Sequence, residues 1–519
     1  MRVLSKISAF KKEMTLESGD NKFVDFSKKN WRQTTDVNNK GEVIIDRMIN
    51  ELYIFRSSYT TNYFRENYDL NIKYFYFLFF DKFILKLFSS FFSKYTRSHK
   101  LYNSFGCEFG FTNTWNDLFV SRLKSIKFNS KNDILDYSID GIRIGDLIYD
   151  TYLRVYSVPT VDLNDRRLLK ITRDAICVFN SAKKYLKNNN VRVVILSHTV
   201  YINYGIIARI AAHSDIDVYI FDQSLAMHKI TRSHYSQYIN HNNYPNEFKK
   251  LDNQAGRLNK SRKIMKLRFG GKIDSGISYM ASSPYKTVDN IVKKIFKHNG
   301  KTKVVIMLHC FFDAAHKYDG YMIFPDVFEW IEFVLNTLKT LDIDLVVKPH
   351  PNGKPGNEKI INILKEKYPN AMFIDKKISN NDILSESPNI MITLNGTAAF
   401  EFAYHGVTVI TSGDGPISSY DFVLKPQSVL ELEEYLHNMD NLKVDLSKKK
   451  IEEFFYMHYM NKGHGRLNEK NYSITERPMN HRINNVQDHT IFHALVDEVR
   501  YNERSLIFDN ISRALKQIS

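Results

Sequence analysis

Cysteine, proline and tryptophan are scarce in this chain, which has three cysteines, 12 prolines and three tryptophans among 519 residues. The cysteines, Cys107, Cys177 and Cys310, are too far apart to indicate a disulfide framework or a metal-ligand pair. The N-terminal segment also lacks the apolar region and cleavage site of a secretory signal. These absences predict a reducing compartment and therefore a cytoplasmic protein.

Long apolar runs are absent as well. A membrane-spanning helix needs about 20 apolar residues, whereas the most apolar stretch, residues 74–95, is broken by Asp81, Lys82 and Lys86. That stretch predicts a buried aromatic helix, with a helix lying on the membrane surface as the alternative. A peripheral contact with the inner face of the cytoplasmic membrane therefore stays open.

The formal net charge is +16. A Lys-rich composition, an anionic membrane surface and a phosphorylated substrate are three explanations for this charge. The basic residues are scattered along the chain and match no nucleic-acid-binding motif. We therefore expect no nucleic-acid partner.

Strand and helix patterns alternate from about residue 131 onward. Short β-branched runs occupy 191–196 and 216–221, and a second series starts near residue 301 and ends at 411. Such alternation predicts parallel sheets covered by helices on both faces. The expected fold class is α/β, with two Rossmann-like, doubly wound domains at 131–295 and 296–480 that face a cleft.

Three segments fall outside this alternation. Residues 1–130 predict a mostly helical N-terminal extension, and residues 223–276 predict a basic loop-and-helix insertion in the first domain. Residues 481–519 predict a helix that crosses back onto the first domain.

The strongest chemical motif is the turn after the strand 390–394. There Asn395 and Gly396 precede a helix that is predicted to begin near Thr397. Gly396 lets the backbone approach a ligand, and the free N–H groups of a helix start bind anions. Glu401, one turn further on, would accept hydrogen bonds from ribose hydroxyls. The alternative is a plain strand-to-helix turn capped by Thr397.

A second motif follows the strand 344–348. Pro349 and Pro351 bracket His350 and fix its backbone at the carboxyl end of the strand. A rigid imidazole there would hydrogen-bond a donor phosphate or assist a leaving nucleotide, and Lys348 would add positive charge. A histidine satisfied within its own turn is the alternative.

His309, Asp313 and His316 follow the strand 303–308. Their residue types suit a metal, but no fourth ligand is evident. We expect them to line the interdomain cleft, with no bound metal and no cofactor beyond a nucleotide-linked co-substrate.

Transfer of a sugar needs a carboxylate or histidine that deprotonates the accepting hydroxyl or attacks the anomeric carbon. Asp146 and Asp150 are four residues apart, so they share a face if that segment is helical. His198 and Asp222 each follow a predicted strand. These four residues are the catalytic candidates, and helix capping or surface ion pairing is the alternative for each.

Several of these segments together resemble a known family. KPHPNG, TLNGTAAFEFAYHGVTVITSGDGP, SHTVYINYG and GIRIGDLIYDTYLR resemble bacterial capsule and O-antigen glycosyltransferases of the GT-B fold, related to β-Kdo transferases and bacterial sialyltransferases. The resemblance covers about residues 140–235 and 300–425. It implies a His-Pro motif at His350–Pro351 that acts at the donor phosphate. The family's Ser-Ser motif for the CMP phosphate is Gly396–Thr397 here. This departure argues against a CMP donor and leaves UDP and GDP sugars open.

The resulting hypothesis is a glycosyltransferase. Its donor would be a nucleotide sugar, and its acceptor a growing capsule or lipopolysaccharide O-antigen chain or the undecaprenyl-linked precursor of that chain. A polyol-phosphate transferase with a CDP-linked donor and a non-catalytic polysaccharide-assembly protein are the alternatives.

Overall fold

A computed structural model describes most of the chain. The described residues are 15–31, 40–77, 96–113, 117, 119–121, 126–221, 227–236, 241–271, 283–286, 294–297, 300–318, 322–351, 353, 356–461, 508, 511–512 and 515.

The first lobe is built on a six-stranded sheet with the strand order β3-β2-β1-β6-β7-β8. All neighbouring strands are parallel except β8, which runs antiparallel to β7. The strands of this lobe, including the small hairpin β4–β5, are Glu42–Asp46 (β1), Asn71–Phe75 (β2), Cys107–Phe111 (β3), Ser138–Ile139 (β4), Ile142–Arg143 (β5), Val191–Leu196 (β6), Asp217–Phe221 (β7) and Met227–Ile230 (β8).

Seven described helices accompany this sheet. They are Ser18–Asn30 (α1), Glu51–Tyr68 (α2), Arg97–Ser104 (α3), Lys131–Leu135 (α4), Gly145–Tyr156 (α5), Arg166–Asn188 (α6) and Ile202–His213 (α7). The long helix α6 starts at Asp165, whose side chain accepts a hydrogen bond from the backbone N–H of Arg167.

The second lobe is built on a five-stranded parallel sheet with the order β11-β10-β9-β12-β13. Its strands are Thr302–Met307 (β9), Ile343–Lys348 (β10), Met372–Phe373 (β11), Ile390–Thr393 (β12) and Thr408–Thr411 (β13). Its helices, with the two that precede the sheet in the chain, are Tyr244–Lys249 (α8), Gln254–Phe269 (α9), Val327–Leu338 (α10), Asn357–Lys367 (α11), Asn380–Ser385 (α12), Ala398–Tyr404 (α13), Val429–His437 (α14) and Lys448–Phe455 (α15).

Both sheets are wound in two directions from a central strand. The chain moves outward from β1 to β3, then returns to the other side of β1 with β6, and it does the same around β9 with β12. The strands β6, β10 and β12 are rich in β-branched residues and buried almost throughout, as expected for strands covered on both faces. The predicted α/β class with two doubly wound, Rossmann-like domains is therefore confirmed.

The expected helical extension at 1–130 is wrong. Residues 42–111 contribute β1, β2 and β3, half of the first sheet. Tyr74 and Phe75, which open the stretch predicted as an aromatic helix, instead end β2, and most of that stretch lies outside the described residues. These strands were missed because they are only five residues long and include polar residues such as Glu42, Lys73 and Glu108.

The segment 223–276 is also not one insertion of the first lobe. Its first part supplies the edge strand β8, whereas Tyr244, Phe248, Leu258 and Met265 are buried in the core of the second lobe with Phe400. Burial of these apolar side chains against α13 and α15 places helices α8 and α9 with the second lobe. In the C-terminal tail, the described residues Phe508, Ile511 and Leu515 pack with Phe23 and Trp31 of the first lobe.

The two lobes share a continuous apolar core. Leu147, Ile148 and Tyr149 of α5 belong to the same buried cluster as Phe311 and Trp330 of the second lobe. Among the described residues, no helix combines the length and the apolar character needed to cross a bilayer.

Candidate functional site

The second sheet carries a row of polar residues beyond the carboxyl ends of its three central strands. The strand register places Lys348 beside Met307, and Met307 beside Thr393. Two residues further along these strands come His350, His309 and Asn395. Because the chain reverses its winding direction between β9 and β12, this edge is the topological switch point, where ligands bind in such folds.

His309 is the centre of this row. Its Nε2 lies 3.2 Å from the hydroxyl of Thr393 and 3.4 Å from the backbone nitrogen of Asn395. Burial, together with the nearby charges of Lys317 and His350, lowers the pKa of His309 to about 3. The imidazole is therefore neutral at physiological pH and acts as a hydrogen-bonding group.

His350 has the same electrostatic character. Burial lowers its pKa, Lys317 adds to this effect, and Asp313 opposes it. Lys317 is thus a cation that acts on both imidazoles of the row. Together they offer hydrogen-bond donors and one positive charge at the edge of the sheet, a combination suited to a phosphate.

The turn after β12 approaches His309 closely. A Cβ atom at Gly396 would lie 3.1 Å from the Thr393 hydroxyl oxygen and 3.2 Å from His309 Nε2, so a side chain there would displace its neighbours. Asn395 is held by a 3.1 Å hydrogen bond from its amide nitrogen to the carbonyl of Asp414. Thr397 makes no capping bond to α13, so its hydroxyl does not play the capping role considered above.

Glu401 and Lys348 occupy a buried network behind this row. Both oxygens of Glu401 accept hydrogen bonds: Oε1 from Arg268 at 3.0 and 2.7 Å, and Oε2 from the hydroxyl of Tyr285 at 2.6 Å. Asn380 joins the two residues, donating to Glu401 at 3.3 Å and accepting from the Lys348 amine at 2.6 Å. Burial lowers the pKa of Lys348 to about 8.

This placement differs from the expectation that Glu401 binds ribose. Glu401 is only 2% exposed, and its acceptor sites are used by Arg268 of α9 and by Tyr285. It therefore anchors the segment before β9 onto the second lobe. Sequence reasoning could not foresee this because Arg268 lies far from Glu401 along the chain.

Asp146 is likewise paired inside one lobe. Its two oxygens accept hydrogen bonds from the two terminal nitrogens of Arg209, at 2.6 and 2.5 Å, and both side chains are buried. Burial alone would raise the pKa of Asp146, but the Arg209 guanidinium holds it below its ordinary value. A carboxylate locked in this way joins α5 to α7, and the structure does not bring it to the polar row.

Asp150 joins the two lobes. Its oxygens accept hydrogen bonds from the backbone nitrogen of His316 at 3.1 Å and from His316 Nδ1 at 2.8 Å. Asp313 lies 3.7 Å from Arg154 of the same helix, α5. His309, Asp313 and His316, predicted to line the cleft, thus have different partners, and the last two contact α5 of the first lobe.

Two loops that meet between the lobes contain strained backbone. Tyr201, after β6, has a φ of 65° and a ψ of 160°, and Ala314, after β9, has a φ of 49°. Burial raises the pKa of Tyr201, and the charges of Asp313 and Asp150 raise it further, so the two loops adjoin. Strain of this kind persists where surrounding structure enforces it and concentrates at functional sites.

Of the remaining catalytic candidates, Asp222 lies outside the described residues. His198 follows β6, and its Nδ1 lies 2.9 Å from the hydroxyl oxygen of Ser197. Sequence reasoning missed the third residue of this group, Asp46, which accepts hydrogen bonds from the backbone nitrogen of Ser197 at 3.0 Å and from the Ser197 hydroxyl.

Asp46 ends β1, and Ser197 follows β6, so the pair marks the switch point of the first sheet. A pocket opens there, lined by Asp46, Met48, Tyr53, Arg56, Ser57, Thr60, Ile195, Leu196 and Ser197. Burial raises the pKa of Asp46 to about 6, although the hydrogen bonds from Ser197 oppose the rise. An aspartate directly after a short β-branched run, IID, was the available signal.

Comparison with known proteins finds no matching family model and no matching curated protein. Several solved structures are distantly similar to this chain, including the following three. The β-Kdo 2,7-transferase KpsC of Thermosulfurimonas dismutans is 12% identical, over 59% of this chain and 86% of that chain, with a TM-score of 0.30. The UDP-GlcNAc 2-epimerase of Neisseria meningitidis, bound to UDP-GlcNAc, is 11% identical over 80% and 94%, with a TM-score of 0.22. The glycotransferase of kitacinnamycin is 9% identical over 89% and 99%, also with a TM-score of 0.22. Similarities this distant carry no argument about activity, and the fold assignment rests on the two sheets themselves.

Proposed function

We propose that this chain is a glycosyltransferase of the two-domain GT-B type, which moves a sugar from a nucleotide donor to a glycan acceptor. The observation that carries the proposal is a pair of polar sites at the switch points of two doubly wound sheets. One is the row of His309, His350 and Asn395, and the other is the pocket at Asp46 and Ser197. Transfer between two bound molecules requires two neighbouring subsites of this kind.

The row on the second lobe suits the donor. Neutral His309 and His350 can hydrogen-bond phosphate oxygens, and Lys317 supplies positive charge beside both. The missing side chain of Gly396 lets the turn after β12 lie close against Thr393 and His309, which keeps His309 in this row. Charge that develops on the leaving phosphate would be stabilised by groups already held in place.

The polar groups at the switch point of the first sheet are the proposed place where the acceptor hydroxyl loses its proton. Tyr53 and Arg56 line the pocket there together with the buried Asp46. An aromatic face packs against sugar rings, and a carboxyl or imidazole receives the proton of the attacking hydroxyl. His198 lies next to Ser197, on the rim of this group.

The finer assignment follows the sequence resemblance. We infer that the acceptor is a capsule or O-antigen chain, or its undecaprenyl-linked precursor, and that transfer takes place in the cytoplasm. The three cysteines are free thiols, and two of them are buried, which suits a reducing compartment. The +16 charge would favour peripheral contact with an anionic membrane that carries such a precursor.

The test is a ligand-induced thermal shift against CMP-, UDP-, GDP- and dTDP-sugars, with CDP-linked polyols as a further set. A bound donor stabilises the folded protein by mass action, by about 2.7 kcal/mol at a concentration of 100 times its dissociation constant, and so raises the melting temperature. Each responding donor is then incubated with the enzyme in the presence and absence of EDTA, and its hydrolysis is followed.

His350→Ala and Gly396→Val should lose the shift, whereas His437→Ala should retain it. His437 is an exposed histidine on α14 of the same lobe and serves as the matched control. A response to nucleotide sugars that survives in both site variants would contradict the donor site. A response confined to CDP-polyols would replace glycosyl transfer with polyol-phosphate transfer.

A further inference from the structure

The pocket of the first lobe contains a chain of three polar groups whose hydrogen-bond directions can be deduced. Asp46 Oδ1 accepts from the Ser197 backbone nitrogen at 3.0 Å, and Asp46 Oδ2 accepts from the Ser197 hydroxyl. The Ser197 oxygen in turn lies 2.9 Å from His198 Nδ1. The chain therefore runs from carboxyl to hydroxyl to imidazole.

The chemistry of each group fixes the position of the protons. An ionised carboxylate only accepts hydrogen bonds, and a serine hydroxyl has a single proton to donate. Because Ser197 gives that proton to Asp46, its oxygen can only accept from His198. A neutral His198 must then carry its proton on Nδ1 and have its lone pair on Nε2.

One other acceptor competes for the serine proton. Met48 Sδ lies 3.4 Å from the Ser197 oxygen, but a thioether is a weak acceptor beside a carboxylate. The rings of Tyr53 and Tyr204 flank the imidazole, with centroids 6.0 and 5.6 Å from its own. Arg56 lines the same pocket. None of these groups reverses the direction of the chain.

We propose that Asp46 and Ser197 are positioning residues that hold His198 in the Nδ1–H tautomer, so that its Nε2 removes the proton from the acceptor hydroxyl. This inference rests on the proposed glycosyl transfer and adds roles that the sequence did not indicate. The three residues lie at the switch point of the first sheet, where the order in which the chain adds strands reverses from one side of β1 to the other with β6.

The step balances as a direct displacement. The hydroxyl proton moves to His198 Nε2 while the hydroxyl oxygen forms a bond to the anomeric carbon of the donor. The bond from that carbon to the donor phosphate oxygen breaks, and its electron pair leaves with the nucleotide. No oxidant, reductant or further reactant is needed.

The first test needs no substrate. Protein with ¹⁵N-labelled histidine is examined by NMR at about pH 8, and the His198 signals are identified by their loss in His198→Gln. We expect the Nδ1–H tautomer in the wild-type protein and a smaller Nδ1–H fraction in Ser197→Ala. An Nε2–H tautomer in the wild-type protein would overturn the proposal.

The second test is kinetic and uses the donor found by the thermal-shift panel. His198→Ala should lower kcat by about 10²–10⁴-fold, the usual contribution of a general base, and added imidazole should restore part of it. Ser197→Ala and Asp46→Asn should lower kcat by about 10–100-fold, as when partners that orient an imidazole are lost. Ser197→Thr, which keeps a hydroxyl, should recover most of the activity.

Ser181→Ala is the matched control, since it removes a buried 2.7 Å bond from a serine hydroxyl to Asp117 in the same lobe. It should leave kcat and the His198 tautomer unchanged. Full kcat in folded Ser197→Ala would overturn the proposal, even if Asp46→Asn fails to fold. If the wild-type protein turns over no donor, glycosyl transfer fails, while the tautomer measurement still decides the hydrogen-bond chain.

Discussion

The buried pair of Asp146 and Arg209 offers a direct test of whether a carboxylate in this protein is structural or catalytic. Asp146→Asn keeps the side-chain volume but removes the charge that faces the guanidinium. The pair joins α5 to α7, and each side chain is only 6% exposed. We expect this variant to unfold at a lower temperature and to keep its activity per folded molecule.

The size of the effect follows from the two bonds. Hydrogen bonds that involve a charged group contribute about 1.5–3 kcal/mol each. Two of them, at 2.6 and 2.5 Å, amount to about 3–6 kcal/mol. This range agrees with the loss of about 3–5 kcal/mol when one partner of a buried ion pair is removed. At about 2–4 °C per kcal/mol for a lobe of this size, the melting temperature should fall by about 6–24 °C.

Differential scanning fluorimetry and donor turnover well below the melting temperature measure the two quantities separately. The control is Asp215→Asn, which breaks an exposed 2.7 Å pair with Arg232 in the same lobe and should change the melting temperature little. Replacing both partners, as in Asp146→Leu with Arg209→Met, should recover much of the lost stability. An Asp146→Asn protein with an unchanged melting temperature and a large loss of kcat would refute the structural role.

Three further predictions concern the interlobe contact, the buried network and a tight turn. For the interlobe contact, burial favours the neutral form of His316, but the charges of Asp150, Asp146 and Asp326 outweigh it and raise the pKa of His316 above the ordinary 6.5. The stabilisation of the folded protein by charged His316 is therefore fully present below about pH 6.5. It is lost as the pH rises through the raised pKa. The wild-type melting temperature should therefore fall more steeply than that of His316→Gln as the pH rises above about 6.5, and parallel curves would count against this contact. Glu401→Gln should lower stability by about 3–5 kcal/mol because it leaves the Arg268 guanidinium buried without its carboxylate, while the nucleotide dissociation constant measured by calorimetry stays the same. A much weaker nucleotide affinity would instead return Glu401 to the donor site. Gly145→Ala should prevent accumulation of folded protein, because a Cβ atom there would lie 1.7 Å from the carbonyl oxygen of Ile134. A normal melting curve for this variant would mean that the backbone at the start of α5 can move away from Ile134.

The second lobe was predicted closely because its strands follow one rule. Runs such as IMIT and TVIT are short, β-branched and buried on both faces, and helices of about ten residues separate them. The predicted strand 390–394 differs from Ile390–Thr393 by a single residue. Position along such a strand then places His309, His350 and Asn395 at one edge without knowledge of tertiary contacts.

The first half of the first sheet was missed because its strands do not follow that rule as clearly. The edge strand β3, CEFGF, has Glu108 and Gly110 in a five-residue run, and only its two end residues are buried. Edge strands need less burial, so their apolar signal is weak. Once β1 to β3 were assigned to a helical extension, Asp46 had no strand end to mark it.

The chemical roles of the carboxylates could not be predicted from the sequence for a different reason. Strand and helix patterns place a carboxylate in the fold, but its chemistry depends on a partner that is distant in the sequence. Asp146 meets a guanidinium from α7, which holds its pKa low and makes it a poor acceptor of protons, although burial alone would raise that pKa. Asp46 accepts hydrogen bonds from the hydroxyl and the backbone nitrogen of Ser197, and neither of these groups is a cation. The effect of burial is therefore larger than that of the hydrogen bonds, and the pKa of Asp46 rises to about 6. The identity of the partner therefore separates Asp46 from Asp146. Asp46 remains an acceptor for the Ser197 hydroxyl, which lies against His198, whereas Asp146 is locked to a guanidinium.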